Sequence, residues 1–99
     1  MAAYYVSGDG DPSPNGYYGD AGEYESARYY ERLDGGFDIW LGFGGGAYCL
    51  SLETGQGAPG WWEHLVEIVG TYTPGGTYTG NPVVVPVPDG AGSLLGVGR

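Results

Sequence analysis

The chain has 99 residues, 22 of them glycine, and its twelve acidic and three basic residues give a formal net charge of −9. Nucleic acids and anionic membranes are both bound through clustered Lys and Arg, and lysine is absent here, so we expect neither as a partner. Ten tyrosines and three tryptophans within a hydrophobic fraction of 41% predict one small domain with an aromatic core.

The first residues, MAAYYVSGDGDP, lack the basic and apolar regions of a signal peptide. No apolar run approaches the ~20 residues that a membrane-spanning helix needs. We therefore expect synthesis in the cytoplasm without membrane insertion. Cys49 is the single cysteine, so no intrachain disulfide can form.

Short segments rich in Tyr, Trp, Val and Thr alternate with glycine and proline, a pattern typical of β-strands joined by turns. A further segment, 61–70, fits a strand or a single helical turn, and its Val and Ile content favours the strand. The pattern predicts an all-β fold over residues 1–85, a small antiparallel β-sandwich or barrel-like domain. The other predicted strands, in chain order, cover residues 2–7, 24–33, 37–43 and 47–53.

Two stretches share a spacing of glycine and tyrosine. NGYYGDAGEYESARYY (15–30) and GTYTPGGTYTGNPVVV (70–85) each contain Gly-x-Tyr twice, six residues apart. This predicts two similar hairpins, in which the first Gly-x-Tyr ends a strand and the second begins the next, with glycine easing the turn. Chance similarity is the alternative, because both residue types are so common in this chain.

The loop GDGDPSPNG (8–16) resembles a calcium-binding loop in its spacing of oxygen-bearing side chains. The candidate metal ligands are Asp9, Asp11 and Asn15. The terminal glutamate that would complete such a loop is missing at the required distance. The competing interpretation is a proline-stiffened turn whose Asp side chains cap the backbone, and we favour it.

We expect no catalytic activity and no cofactor. His64 is the only histidine, and neither Cys49 nor a serine lies in a nucleophile motif that it could serve. Carboxylates such as Asp38 and Glu63 lie near aromatic residues, as in a glycosidase. However, 99 residues leave little protein to shape a cleft.

The tryptophans Trp40, Trp61 and Trp62 are candidate binding residues. In strand 37–43 the alternation predicts that Ile39 faces the core and Trp40 faces the opposite side or an edge. Exposed tryptophans stack on sugar rings, and they are also enriched at protein interfaces. The amount of aromatic surface in so small a domain favours the protein interface, with glycan binding as the alternative.

The C-terminal segment NPVVVPVPDGAGSLLGVGR (81–99) combines valines and leucines with prolines at 82, 86 and 88. Proline cannot donate a backbone hydrogen bond, so we expect an edge strand, with residues 86–99 leaving the domain as an extended arm. The arm would bind a neighbouring subunit, or it would fold back over an edge of its own domain. The candidate contact residues are Val83, Val85, Val87, Leu94, Leu95 and Arg99.

Several motifs in order give the chain a family resemblance: VSGDG, NGYY, an aromatic strand with IW, and GTYTPGGT. Over residues 4–85 the sequence resembles small Gly/Tyr/Trp-rich modules in virion proteins of tailed bacteriophages and in proteins of environmental bacteria. The resemblance implies a structural virion protein, most simply a capsid decoration protein of the cement or head-fibre type. Its partners would be the major capsid protein or another virion protein and further copies of itself. The alternatives are a carbohydrate-binding or adhesion module of a phage tail or cell surface, and a subunit of an extracellular filament.

Overall fold

The computed structural model describes residues 3–42, 45–56, 60–65 and 67–87, which form β-strands and no α-helix. No described segment is a helix of the length and hydropathy needed to cross a bilayer. The strands are β1 (Ala3–Ser7), β2 (Gly16–Tyr24), β3 (Ala27–Arg32), β4 (Asp38–Gly42), β5 (Ala47–Ser51), β6 (Gly60–Leu65), β7 (Gly70–Thr71), β8 (Thr73–Gly76) and β9 (Val83–Pro86).

All nine strands belong to one sheet, in the order β7-β9-β1-β2-β3-β4-β5-β6-β8, and every pairing is antiparallel. The two outer strands of this order, β7 and β8, are separated in the chain by Tyr72 alone. They are therefore successive pieces of one chain segment, and the sheet curls until its two edges nearly meet. The prediction of an all-β, barrel-like fold is confirmed.

Strand β9 corrects the prediction that the valine segment forms an edge strand. Val84 pairs with Val6 of β1 on one side and with Gly70 of β7 on the other. The strand tolerates its prolines because Pro82 precedes it and Pro86 is its last residue, which leaves the amide donors of the three valines in place. Residues 88–99, including Leu94, Leu95 and Arg99, lie outside the described residues.

The barrel interior is filled mainly by aromatic side chains, as the composition predicts. The indole of Trp62 is fully buried, with its ring centre 4.8 Å from that of Tyr78 and 6.0 Å from that of Phe37. The aliphatic members fill the space between rings. The buried cluster comprises Val6, Tyr18, Tyr30, Phe37, Ile39, Leu50, Trp62, Tyr72, Tyr78 and Val84.

The first Gly-x-Tyr of each similar stretch builds the same local structure. Tyr18 is fully buried and donates its hydroxyl to the Pro14 carbonyl at 2.5 Å, and Tyr72 donates to the Ile68 carbonyl at 2.6 Å. In both cases the acceptor lies four residues upstream. This is the arrangement called a tyrosine corner in β-sandwich domains. The glycine two residues before each tyrosine has a φ of 139° or 148°, a conformation open to glycine and strained for other residues.

The predicted pair of hairpins is nevertheless wrong. β2 runs unbroken from Gly16 to Tyr24, with a bulge between Asp20 and Gly22. The later stretch instead passes from β7 to β8 without reversing. The second tyrosines also differ, because Tyr24 is half-buried beside Trp40 whereas Tyr78 is buried beside Trp62. Only the first half of the similarity is structural.

Candidate partner-binding surface

Two of the three candidate tryptophans are buried, which corrects their assignment to a partner surface. Trp62 lies in the core and donates its indole N–H to the Thr79 carbonyl at 3.2 Å. Trp40 lies on the outside of β4, as the alternation predicts, but it is only 7% exposed. Tyr24 packs edge-on against it, and its indole N–H donates to the Ser51 hydroxyl at 2.8 Å. Neither ring offers a face to a partner.

Trp61 is half-buried and lies on the outside of β6, across from Gly75 of β8. Its ring occupies the space that a side chain at Gly75 would fill, so glycine at this position lets the indole lie close to the backbone. Its indole N–H donates to the Glu63 carboxylate at 2.8 Å. The side chain is therefore held in place, and it remains the most exposed of the three candidate tryptophans.

A row of apolar side chains crosses the outside of the barrel from the residue before β7 to the residue after β3. Tyr5 of β1 lies between Tyr17 of β2 and Val85 of β9, and the two tyrosine rings are 4.7 Å apart. Leu33, the first residue after β3, continues this line. Its amide donates to the Tyr17 carbonyl at 2.8 Å, so it lies directly beside Tyr17. The row thus follows the hydrogen-bonding direction of the sheet.

Val69 extends the row at its other end. It directly precedes Gly70, whose partner in the antiparallel strand β9 is Val84, so Val69 lies opposite Val85. Among the described residues, six large hydrophobic side chains are exposed, and four of them belong to this line. Their exposed fractions run from 37% to 53%. A line of exposed apolar groups at a constant register is an unusual feature for a surface that only meets water. We call the following set the apolar row: Val69, Val85, Tyr5, Tyr17 and Leu33.

The other two candidate valines flank this row. Val83 is half-buried and pairs with Ser7 of β1. Val87 is also half-buried, and its amide donates to the Ala3 carbonyl at 2.9 Å. The valines predicted to contact a partner therefore do border or join one surface, although they do so from within the sheet.

The apolar row contains no carboxylate and no basic group, and Glu31 on β3 flanks it. The two basic side chains of the described residues are already paired within the chain: Arg28 lies 3.5 Å from the Asp20 carboxylate and Arg32 lies 2.5 Å from that of Asp34. The row is thus an uncharged, apolar surface on a protein of net charge −9.

The titratable groups do not form a catalytic arrangement among the described residues. The imidazole of His64 is stacked on Tyr72 and its Nδ1 lies 2.8 Å from the Glu67 carbonyl. Burial raises the pKa of the Cys49 thiol to about 12, and Glu63 adds to that shift. Asp38 accepts hydrogen bonds from the amide and hydroxyl of Thr54, while burial raises its pKa. A thiol with so high a pKa is a poor nucleophile.

The candidate calcium ligands serve as backbone anchors. Asp9 accepts the amide of Asn81 at 2.8 Å, and Asn15 donates to the Gly8 carbonyl at 3.0 Å. The backbone of Asp11 exchanges two hydrogen bonds with that of Thr79. The described residues contain no group of three His, Cys, Asp or Glu side chains placed to hold a metal ion.

Comparison with protein-family models, with curated proteins and with solved structures found no match to this chain. Its function is therefore inferred from its own surface. Sequence reasoning identified Val85 but missed Tyr5, Tyr17, Leu33 and Val69. The signal was present in the strands AYYVS and GYYGDAGEY, where tyrosines occur at consecutive positions and must occupy both faces.

Proposed function

We propose that this protein is a structural virion protein of a tailed bacteriophage, a capsid decoration protein that acts by protein–protein adhesion. Its partner is the major capsid protein or another virion protein. The observation that carries the proposal is the apolar row, five side chains at one register on an otherwise acidic barrel. The family resemblance of residues 4–85 supplies the virion setting.

The filled interior supports adhesion through the outer surface. Six aromatic rings occupy the space that a ligand-binding barrel would leave open. The depressions on the outside, such as one of about 340 Å³ beside Glu63 and Leu65, are shallow and open. Acidity keeps single copies soluble until they reach their partner.

The area of the apolar row limits the binding free energy that one contact can have. Five positions at the usual strand spacing of about 4.8 Å, and three residue rows along each strand, give a footprint of roughly 300 Å². Burying about 600 Å² over both partners gains roughly 15 kcal/mol, and association itself costs about 4–15 kcal/mol. The difference lies between about 0 and 11 kcal/mol, and the footprint is well below the ~800 Å² per partner of a stable interface, so we expect a single contact to be weak. A capsid compensates because it presents many identical sites close together, which raises the local concentration of the partner surface.

The test is attachment to particles. Virions purified from lysed host cells are analysed by mass spectrometry and cryo-electron microscopy, and we expect the protein on the head at a fixed ratio to the capsid protein. Leu33→Asp places a carboxylate in the row and should abolish attachment. Leu52→Asp is the matched control, because Leu52 is 49% exposed and follows β5, whose neighbours β4 and β6 carry no residue of the row. Absence of the protein from purified particles would overturn the proposal, as would equal loss with both variants.

A further inference from the structure

We infer that in free solution the apolar row is covered by a second copy of this chain, with the two rows meeting across a twofold axis. The inference uses the same surface as the proposed function but does not depend on the virion assignment, because it concerns the purified protein alone. A twofold contact brings the same patch together from both copies, so it requires a surface that is complementary to itself. A straight line of apolar groups on an antiparallel sheet meets that requirement.

The distribution of charge favours this occupant. Two chains of net charge −9 repel each other, and the repulsion is least where carboxylates are absent. Val85, Tyr5 and Tyr17 form the middle of the row, and acidic side chains border the row only towards its ends: Glu31 and Asp34 near Leu33, and Glu67 near Val69. Contact through the row therefore places an uncharged surface at its middle and confines the repulsion between the two copies to its ends.

The chemistry of the row also suits a second copy. Its centre is the Tyr5–Tyr17 pair, and tyrosine contributes a large apolar face together with a hydroxyl that tolerates water. Leu33 and Val69 stand at opposite ends of the line. In an antiparallel arrangement of two rows, Leu33 of each copy meets Val69 of the other and Tyr17 meets Val85, so at these positions a larger side chain faces a valine.

The expected dimer is weak. The footprint of roughly 300 Å² per copy is well below the ~800 Å² per partner of a standard stable interface. A dissociation constant between about 10 µM and 1 mM is therefore expected. Salt should strengthen the dimer about three- to tenfold between 0.05 and 0.5 M NaCl, since it screens the repulsion between two acidic chains. A basic partner would show the opposite dependence on salt.

Sedimentation equilibrium of the full chain from about 20 µM to 2 mM, at both salt concentrations, tests this range. We expect a monomer–dimer equilibrium that shifts to dimer at high salt. Leu33→Asp should leave a monomer, and Leu52→Asp, the control variant after β5, should dimerise like the wild type. Tyr17→Ser provides a second disruption should Leu33→Asp fail to fold, with folding checked by circular dichroism.

Three results would overturn the inference. The first is a monomer at the highest concentration and salt. The second is a dimer that Leu52→Asp disrupts as strongly as Leu33→Asp, since the contact would then not be confined to the row. The third is a full-length monomer that dimerises only after deletion of residues 88–99, since the chain's own C-terminal segment would then occupy the row. Failure of particle attachment, by contrast, would leave the dimer intact.

Discussion

The hydroxyl of Tyr18 should contribute measurably to folding stability. It donates to the Pro14 carbonyl at 2.5 Å, and both residues are fully buried. Tyr18→Phe keeps the ring and removes only this donor, so the Pro14 carbonyl is left buried without its partner. Such a loss costs about 1–3 kcal/mol, because the abandoned acceptor cannot recover a hydrogen bond from water.

The hydroxyls of two other buried tyrosines, Tyr72 and Tyr78, provide a comparison for the effect of Tyr18→Phe on stability. Tyr72 makes the equivalent bond to Ile68, but that carbonyl is only partly buried and can be rehydrated, so Tyr72→Phe should cost about 1 kcal/mol. The hydroxyl of Tyr78 is buried and has no hydrogen-bond partner within the described residues. Tyr78→Phe should therefore leave stability unchanged or raise it slightly, because a desolvated hydroxyl is removed.

Thermal and urea unfolding monitored by circular dichroism compare the three variants. For a domain of this size about 1 kcal/mol corresponds to a change in melting temperature of roughly 4–8 °C. The expected order of destabilisation is Tyr18→Phe, then Tyr72→Phe, with Tyr78→Phe indistinguishable from the wild type or above it. The reasoning is refuted if Tyr78→Phe destabilises as much as Tyr18→Phe, or if Tyr18→Phe has no effect.

Three further predictions concern single positions that are buried or half-buried. Cys49 should react with a thiol reagent at least about 100-fold more slowly in the native protein than in denaturant, because it is buried and its pKa is raised to about 12; rapid native labelling would contradict this. Burial raises the pKa of Asp38 above its usual 3.8, so its contribution to stability is full below that pH and is lost as pH rises through the raised pKa. Asp38→Asn keeps an oxygen acceptor for Thr54, so melting at pH 7 should be no lower than in the wild type, and a clearly lower value counts against the role given to burial. Gly42→Ala should cost about 1–3 kcal/mol in urea unfolding, since the new methyl group would collide with the Trp40 ring; unchanged stability would show that this ring moves aside freely.

The sequence by itself determined the class of fold and the nature of its core. Alternation with period two is a local property of a strand, so segments such as FDIWLGF and AYCLSLE already indicate strands and separate Ile39 from Trp40. The aromatic core follows from composition, because few aliphatic residues are available to fill it. Strand β2 was the main failure, since the glycines of GYYGDAGEY suggest a turn whereas the structure accommodates them in a bulged strand.

Only the tertiary structure decided which large hydrophobic residues remain exposed. Trp40 and Tyr17 both lie on the outer face of the sheet, but Tyr24 covers Trp40 whereas Tyr17 remains exposed. The apolar row depends on the pairing of β9 with β1, which joins residues about 80 positions apart in the sequence. No local pattern encodes such a pairing, because register between distant strands is fixed by how the whole sheet closes around its core.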